Sequence, residues 1–90
     1  MSIIFADDDQ FIRNIAGTVL KTLDPGVIVC ENGQQAIDAF KANSGCKLII
    51  LDLSMPVMDG YEACKQLRAA GCSQNILALS GGMSTFKPKF

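Results

Sequence analysis

The chain has 90 residues, of which 49% are hydrophobic and 19% are charged, with a net charge of −1, and this composition predicts one small globular domain and excludes a disordered chain. Acidic and basic residues are scattered apart from the run Asp7-Asp8-Asp9, so no cluster of Lys and Arg marks a nucleic-acid-binding surface. No apolar stretch approaches the length of a membrane span, and the amino terminus lacks the charged lead-in of a signal peptide, so we expect a cytoplasmic protein without membrane contact.

The first strand and helix are indicated by a short apolar run followed by an amphipathic stripe. Residues 2–6 form a strand candidate that ends at the acids Asp7 and Asp8. Asp9 is placed to cap the following helix, because its side chain can accept hydrogen bonds from N–H groups of the first turn. In that helix the apolar residues recur at intervals of three and four, which is typical of one buried face: Phe11, Ile12, Ile15, Ala16, Val19, Leu20 and Leu23.

The alternation of strands and helices continues along the chain. A second strand is predicted over 27–30, a second helix after the turn at Asn32-Gly33, a third helix over about 61–70, and a fourth strand over 76–79. Between the second and third helices, the unbroken apolar run 48–51 predicts a buried central strand. Strands that alternate with helices predict βαβ units and a parallel sheet covered on both faces.

Polar residues follow three of the predicted strands. Asp7 and Asp8 follow the first strand, Asp52 follows the central strand, and Ser80 follows the fourth. The carboxyl ends of parallel strands meet at one edge of the sheet, where open α/β sheets bind their ligands. Converging carboxylates repel one another unless a cation lies among them, and their hard oxygen atoms suit Mg²⁺. With the ion bound, the Asp52 carboxylate can attack a phosphoryl group.

The loop after the central strand has the sequence Asp52-Leu53-Ser54-Met55-Pro56-Val57-Met58-Asp59-Gly60. Pro56 fixes one backbone angle, Gly60 permits a backbone conformation that other residues resist, and Asp59 is placed to cap the third helix. This stretch resembles the phosphoacceptor loop of response-regulator receiver domains, the aspartate-phosphorylated partners of histidine kinases. The resemblance covers residues 1 to about 80 and implies a flavodoxin-like (CheY-like) α/β fold. The fold would be truncated to about four parallel strands and three helices, with an irregular or swapped C-terminal segment.

The resemblance implies a role for each polar residue at this edge of the sheet. Asp52 is similar to the residue that accepts a phosphoryl group from a phosphohistidine in a magnesium-dependent reaction. Asp8 resembles the direct carboxylate ligand of Mg²⁺, Asp7 the second acidic position that often acts through water, and Ser54 the residue whose backbone carbonyl binds the ion. Ser80 resembles the hydroxyl that hydrogen-bonds the phosphoryl oxygen. The implied partner is a histidine kinase or a histidine phosphotransfer protein.

The last ten residues fit the resemblance poorly, so we divide the chain into a receiver core over 1–80 and an atypical tail over 81–90. Receiver domains follow the fourth strand with a helix, a fifth strand that ends in a Lys-Pro pair, and a last helix. Here six residues separate Ser80 from Lys87, whereas a parallel crossover needs about a dozen. The stabilising cation that the resemblance assigns to Lys87 is therefore doubtful within one subunit.

Three arrangements of the tail remain open. Gly81-Gly82 can form a two-residue hairpin, so that 83–87 pairs antiparallel with the fourth strand. Lys87 would then lie on the order of 13 Å from Asp52. The tail can instead add to a second subunit by exchanging segments, or it can remain unstructured. Each arrangement leaves apolar sheet surface uncovered, so we expect a homodimer, possibly segment-swapped.

The four cysteines, at positions 30, 46, 64 and 72, show no CxxC spacing, and the chain has no histidine. Common zinc sites need such a pairing of ligands. The pattern therefore favours free thiols that act as small core hydrophobes rather than a metal site or disulfide.

Two other functions compete with that of a competent receiver. Asp7-x-Asp9 is compatible with a haloacid-dehalogenase-type phosphatase motif, but Gln10 stands where that motif normally has Thr or Val, and the Asp52 loop would be unexplained. The second alternative is a degenerate receiver that acts as a non-switching protein-interaction module. The sequence therefore predicts a phosphoacceptor signalling domain that assists its own phosphoryl transfer and is not a conventional enzyme.

Overall fold

The computed structural model describes residues 3–53, 58–80 and 84–86 as one sheet with three helices. The elements in chain order are β1 (Ile3–Ala6), α1 (Gln10–Leu23), β2 (Ile28–Cys30), α2 (Gly33–Ala42), β3 (Leu48–Asp52), α3 (Gly60–Ala69), β4 (Asn75–Ser80) and β5 (Ser84–Phe86). The strand order is β2-β1-β3-β4-β5, with β1 to β4 parallel and β5 antiparallel to β4. This is the strand order of flavodoxin-like folds, so the predicted fold class is confirmed. Within the described ranges, no helix is long and apolar enough to cross a membrane.

Side chains alternate between the two sides of each strand and so divide the core into two clusters. On the face covered by α2 and α3, which we call the α2/α3 face, strand and helix residues form the larger cluster, including Ile4, Ile49, Leu51, Phe40 and Leu67. On the face covered by α1, which we call the α1 face, the smaller cluster consists of Ile3, Phe5 and Ile50, with Ile12, Ala16 and Leu20 of α1 among the half-buried residues around it. The predicted coverage on both sides is confirmed, but the two sides are unequal.

The predicted helix caps are confirmed. The Asp9 carboxylate accepts hydrogen bonds from the N–H groups of Phe11 at 2.8 Å and Ile12 at 3.2 Å. The Asp59 carboxylate accepts from the N–H of Glu62 at 2.8 Å. Each bond satisfies an N–H group that has no partner within the helix, so the two acids fix where α1 and α3 begin.

The segment 84–86 forms a regular strand within its own chain. Ser80 pairs with Ser84, Leu79 with Thr85, and Ala78 with Phe86. Over these residues the segment is neither irregular nor exchanged, and the structure has the hairpin among the three predicted arrangements. The predicted register is wrong by one residue. The predicted hairpin has the two residues Gly81-Gly82 between its paired ends, whereas three residues separate the paired Ser80 and Ser84. Three-residue connections are the next commonest hairpin class, and the Gly-Gly pair alone does not distinguish them from two-residue turns.

All four cysteines are free and buried, as predicted. Burial is the main cause that raises the pKa of the Cys30 thiol to about 11, and the nearby Asp38 carboxylate adds to the effect. Burial also raises the pKa values of Cys46 and Cys64. These thiols remain protonated at neutral pH and act as core hydrophobes.

Candidate functional site

Three carboxylates converge at the carboxyl edge of the sheet. Asp7 and Asp8 follow β1, and Asp52 is the last residue of the neighbouring strand β3. One carboxylate oxygen from each residue lies within 4.8 Å of the other two. Asp7 and Asp52 are buried whereas Asp8 is exposed. The cluster is therefore partly enclosed by the protein and accessible to solvent on the side of Asp8.

Some neighbours of the Asp7 carboxylate stabilise its negative charge, and others destabilise it. The Asp7 Oδ1 accepts a hydrogen bond from the Asp9 N–H at 2.9 Å. Burial is the main cause that raises the pKa of Asp7 above its ordinary value of 3.8, and the Asp8 and Asp9 carboxylates add to the rise. The Asp9 N–H and the Arg13 guanidinium act in the opposite direction. Because the net direction is upward, a cation placed among the carboxylates would relieve an unfavourable charge.

The donor set fits Mg²⁺. The ion binds oxygen at about 2.0–2.1 Å in an octahedron, so opposite ligand atoms lie about 4 Å apart. The carboxylate oxygens of Asp7, Asp8 and Asp52 lie within 4.8 Å of one another, which is close enough for one ion to bind them directly or through water. Mg²⁺ keeps several waters and uses few carboxylates, and the solvent-exposed side at Asp8 leaves room for those waters.

Two glycines at or near the start of α3 have no room for a side chain, and one of them, Gly60, lies against the backbone of Asp52. A Cβ at Gly60 would lie 2.6 Å from the Asp52 carbonyl oxygen and 2.9 Å from the Leu53 Cα. A Cβ at Gly33 would lie 2.8 Å from the Met58 carbonyl oxygen. The Gly60 N–H also donates to the Leu53 carbonyl at 3.2 Å. The start of α3 is therefore held directly against the backbone that carries the Asp52 carboxylate.

Glycine is required at position 60, but the reason predicted from the sequence, an unusual backbone conformation, is wrong. Among the described glycines, only Gly71 has a positive φ, of 94°. Gly60 is required because the backbones of α3 and β3 approach closely there, and not because of an unusual backbone conformation.

The other predicted site residues are placed only in part. Leu79 pairs with Asp52 in the sheet, so the backbone of Ser80 reaches the same edge as the three carboxylates. Ser54 and Lys87 lie outside the described residues. Their roles as a backbone metal ligand and as a cation therefore remain predictions.

Arg13 is a neighbour of the site that the sequence reasoning missed. Its N–H donates to the Asp9 carbonyl at 2.9 Å, which places it one turn into α1. Its Nη1 donates to the backbone carbonyl of Asp7 at 2.8 Å. Its position in the sequence could have indicated this contact. Arg13 is the first cation after the acidic run and follows the helix cap Asp9 by four residues, so it lies on the same face of α1 as the cap.

A flavodoxin-like sheet with carboxylates at the ends of the neighbouring strands β1 and β3 defines the class of phosphoacceptor modules of two-component signalling. The sequence matches the response regulator receiver domain family over residues 3–87, and the chain belongs to that family. Magnesium binding and aspartate phosphorylation are features of the family, which takes part in phosphorelays.

Three known proteins illustrate the similarity. The autoinducer 1 sensor kinase/phosphatase LuxN of Vibrio campbellii is 32% identical over 80 residues, which cover 89% of this chain and 9% of LuxN. Chemotaxis protein CheY4 of Vibrio cholerae has a TM-score of 0.82 and 27% identity, covering 92% of this chain and 70% of CheY4. TrrA of Thermotoga maritima, solved in complex with Mg²⁺-BeF, has a TM-score of 0.73 and 28% identity, covering 88% of this chain and 68% of TrrA.

Proposed function

We propose that the chain is a receiver in which Asp52 accepts a phosphoryl group from a phosphohistidine, with Mg²⁺ held by Asp7, Asp8 and Asp52. The observation that carries this proposal is the convergence of the three carboxylates at one sheet edge. The raised pKa of Asp7 supports it, because the Asp9 N–H and the Arg13 guanidinium do not offset the effects of burial and of the Asp8 and Asp9 charges on this carboxylate. The similarity to TrrA, which was solved with Mg²⁺-BeF, is a second support.

In the proposed reaction a carboxylate oxygen of Asp52 bonds to phosphorus as the bond from phosphorus to the donor histidine nitrogen breaks. The nitrogen leaves with the bonding electron pair, and the product is an acyl phosphate on Asp52. When bound, Mg²⁺ neutralises charge on the phosphoryl oxygens. The Ser54 carbonyl and the Ser80 hydroxyl complete the proposed site, as a metal ligand and a phosphoryl hydrogen-bond donor.

The fold supplies the orientation that this reaction needs. The Asp9 N–H holds the Asp7 carboxylate, and Arg13 holds the adjacent backbone. The close approach of Gly60 fixes the carbonyl of Asp52 and therefore the start of its side chain. Groups that are fixed before the donor arrives need little rearrangement during transfer, which lowers the barrier.

The proposed phosphoryl donor is a histidine kinase or a histidine phosphotransfer protein, in a cytoplasmic setting. The similarity to part of LuxN, which is named a sensor kinase/phosphatase, supports this class of partner. The proposed output is a shift between two conformations that a partner protein or a second copy of the chain recognises, without nucleic acid.

The antiparallel direction of β5 favours one alternative function. Ser84 pairs with Ser80 at the site edge, and β5 then runs away from that edge, so that Phe86 pairs with Ala78 in the middle of β4. If no cation replaces the one that receivers place near the phosphoryl group, the chain would serve as a degenerate receiver that binds Mg²⁺ and a protein partner without switching.

The test is incubation with Mg²⁺ and a small acyl-phosphate donor, read as intact mass. We expect one added phosphoryl group on the wild type and none on Asp52→Asn. Asp38→Asn is the matched control, because Asp38 is an exposed acid on α2, and it should be phosphorylated like the wild type. A wild type that binds Mg²⁺ by calorimetry but gains no mass would refute phosphoacceptance and assign the chain to the degenerate module.

A further inference from the structure

The segment Asp7-Asp8-Asp9, which we call the acidic loop, supplies two of the three carboxylates of the site, and hydrogen bonds hold it at three points. The Asp7 N–H donates to the Cys30 carbonyl of β2 at 3.1 Å. The Asp9 N–H donates to the Asp7 carboxylate at 2.9 Å. The Nη1 of Arg13 donates to the Asp7 carbonyl at 2.8 Å. Of these three bonds, only the one from Arg13 can be removed by a substitution that leaves all three carboxylates in place.

The bond from Arg13 acts on the backbone that carries Asp8. The peptide between Asp7 and Asp8 is planar, so the direction of the Asp7 carbonyl fixes the direction of the Asp8 N–H and the position of the Asp8 Cα. The Asp8 side chain is exposed, so surrounding side chains confine it less than they confine the buried Asp7. Its carboxylate is therefore oriented mainly by its backbone, which Arg13 anchors on one side and the Asp9 N–H on the other.

Arg13 is itself well placed to act as a fixed donor. Its backbone N–H donates to the Asp9 carbonyl at 2.9 Å, within the first turn of α1. Its side chain is half-buried and lines a groove of about 270 Å³ that also involves Gly17 of the helix and Val29 of β2. The guanidinium is planar and always charged, so it restricts the direction of the bond more than a mobile water would.

Two effects of Arg13 on a bound cation oppose each other. Its positive charge repels Mg²⁺, and this charge is felt at the site because it acts to lower the pKa of Asp7. Its hydrogen bond, in contrast, keeps the acidic loop in the conformation that the ion binds. Loss of the charge alone would strengthen metal binding, whereas loss of the hydrogen bond would weaken it. The sign of the change therefore distinguishes the two roles.

We propose that Arg13 is a positioning residue that holds the acidic loop in the geometry required by Mg²⁺ and thereby sets the selectivity of the site for Mg²⁺ over Ca²⁺. This inference rests on the metal site of the proposed function. Mg²⁺ demands a near-ideal octahedron of oxygen ligands, whereas Ca²⁺ accepts six to eight ligands in flexible arrangements. A loop without the Arg13 bond can adapt to Ca²⁺ but must be reordered to bind Mg²⁺.

Titration calorimetry with Mg²⁺ and with Ca²⁺ tests the proposal on the wild type and on Arg13→Met, which keeps a long unbranched side chain. We expect Arg13→Met to bind Mg²⁺ about tenfold more weakly, the lower end of the range for groups that orient metal ligands. Its affinity for Ca²⁺ should fall by less than about threefold. Removal of charge alone would strengthen the binding of both ions, and a general loss of structure would weaken both alike.

Lys21→Met is the matched control. It removes the same charge from a residue that lines the same groove, about 12 Å further along α1 at ~1.5 Å per residue, and it should bind both ions like the wild type. Arg13→Lys keeps the charge and offers a shorter donor, so it should bind Mg²⁺ more tightly than Arg13→Met does. Circular dichroism confirms that each variant is folded.

The phosphorylation assay gives a second readout. In Arg13→Met the Mg²⁺ concentration for half-maximal phosphorylation should rise about tenfold, whereas the rate at saturating Mg²⁺ should stay within about twofold of the wild type, because the Arg13 bond is made to the loop that binds the ion.

Three results would overturn the proposal: Mg²⁺ binding by Arg13→Met that equals or exceeds that of the wild type, equal losses for the two ions, or weaker Mg²⁺ binding by Arg13→Lys than by Arg13→Met. A wild type that binds Mg²⁺ but is not phosphorylated would refute the proposed reaction, and calorimetry would still decide the role of Arg13. A wild type that binds no Mg²⁺ would refute both.

Discussion

The two faces of the sheet carry out different tasks. On the α2/α3 face two helices cover a continuous core, and the close contact at Gly60 connects α3 to the backbone of Asp52. On the α1 face a single helix among the described residues covers a small cluster, and four of its apolar side chains, Phe11, Ile15, Val19 and Leu23, are half or more exposed. The densely packed α2/α3 face therefore positions the backbone of Asp52, whereas the α1 face contributes less buried surface. The comparison predicts that substitutions on the two faces will have different consequences.

The largest expected difference is between two leucines. Leu67 of α3 is fully buried on the α2/α3 face, whereas Leu23 of α1 is 70% exposed. Leu67→Ala should lower the free energy of unfolding by about 3 kcal/mol, because it leaves a cavity in a packed core. Leu23→Ala should change it by less than about 0.5 kcal/mol. Urea unfolding measures both losses, and equal losses would show that the two faces are packed equally well.

Next in size is the effect of adding one methyl group at Gly60. The new Cβ would collide with the backbone of Asp52 and Leu53, so Gly60→Ala should lower the free energy of unfolding by about 2 kcal/mol and weaken Mg²⁺ binding. Gly45→Ala adds the same group where nothing lies within 4 Å, and it should be neutral or stabilising by up to about 1 kcal/mol. If both variants bind Mg²⁺ like the wild type, the close approach does not position Asp52.

The smallest effect on stability is expected at Asp7. Because the pKa of Asp7 is raised mainly by burial, folding disfavours its charged form, and stability is lost as the pH rises from 3.8 through the raised value. Without divalent cations, Asp7→Asn should therefore melt at a higher temperature than the wild type at neutral pH, and the difference should vanish well below pH 3.8. With Mg²⁺ the order should reverse, because the variant binds the ion about tenfold more weakly.

Asp38→Asn provides the control for this prediction. It removes the same charge from an exposed position on α2. Because its acidic site is intact, Mg²⁺ should raise its melting temperature by as much as that of the wild type. An Asp7→Asn variant that melts below the wild type in a chelator at neutral pH would contradict the role of burial and charge repulsion at the site.

Most of the fold could be predicted because its signals are local. The apolar run 48–51 and the spacing of apolar residues on α1 fixed the strand and helix types, and Asp9 and Asp59 marked the helix starts by their chemistry. The meeting of Asp7, Asp8 and Asp52 followed from one topological rule, that parallel strands bring their carboxyl ends to one edge. These inferences needed no knowledge of packing.

The predictions that were wrong or missing concern features that depend on packing between segments distant in sequence. The register of β5 depends on how the whole hairpin settles against β4, which Gly81-Gly82 does not specify by itself. The need for glycine at position 60 arises from the approach of α3 to β3 and cannot be read from neighbouring residues. The contact of Arg13 with Asp7 similarly requires both the helix and the end of β1 to be in place.

The double role of Asp9 connects the acidic site to the start of α1 thermodynamically. Its N–H donates to the Asp7 carboxylate, and its side chain accepts from the N–H of Phe11 in the first turn of the helix. If occupation of the acidic site alters this chain of hydrogen bonds, it alters the equilibrium between the formed and the frayed first turn by a factor, and fraying of that turn alters the affinity of the site by the same factor. One hydrogen bond of about 1 kcal/mol corresponds to about a fivefold effect. The affinity of the acidic site would then depend on how firmly the first turn of α1 is formed.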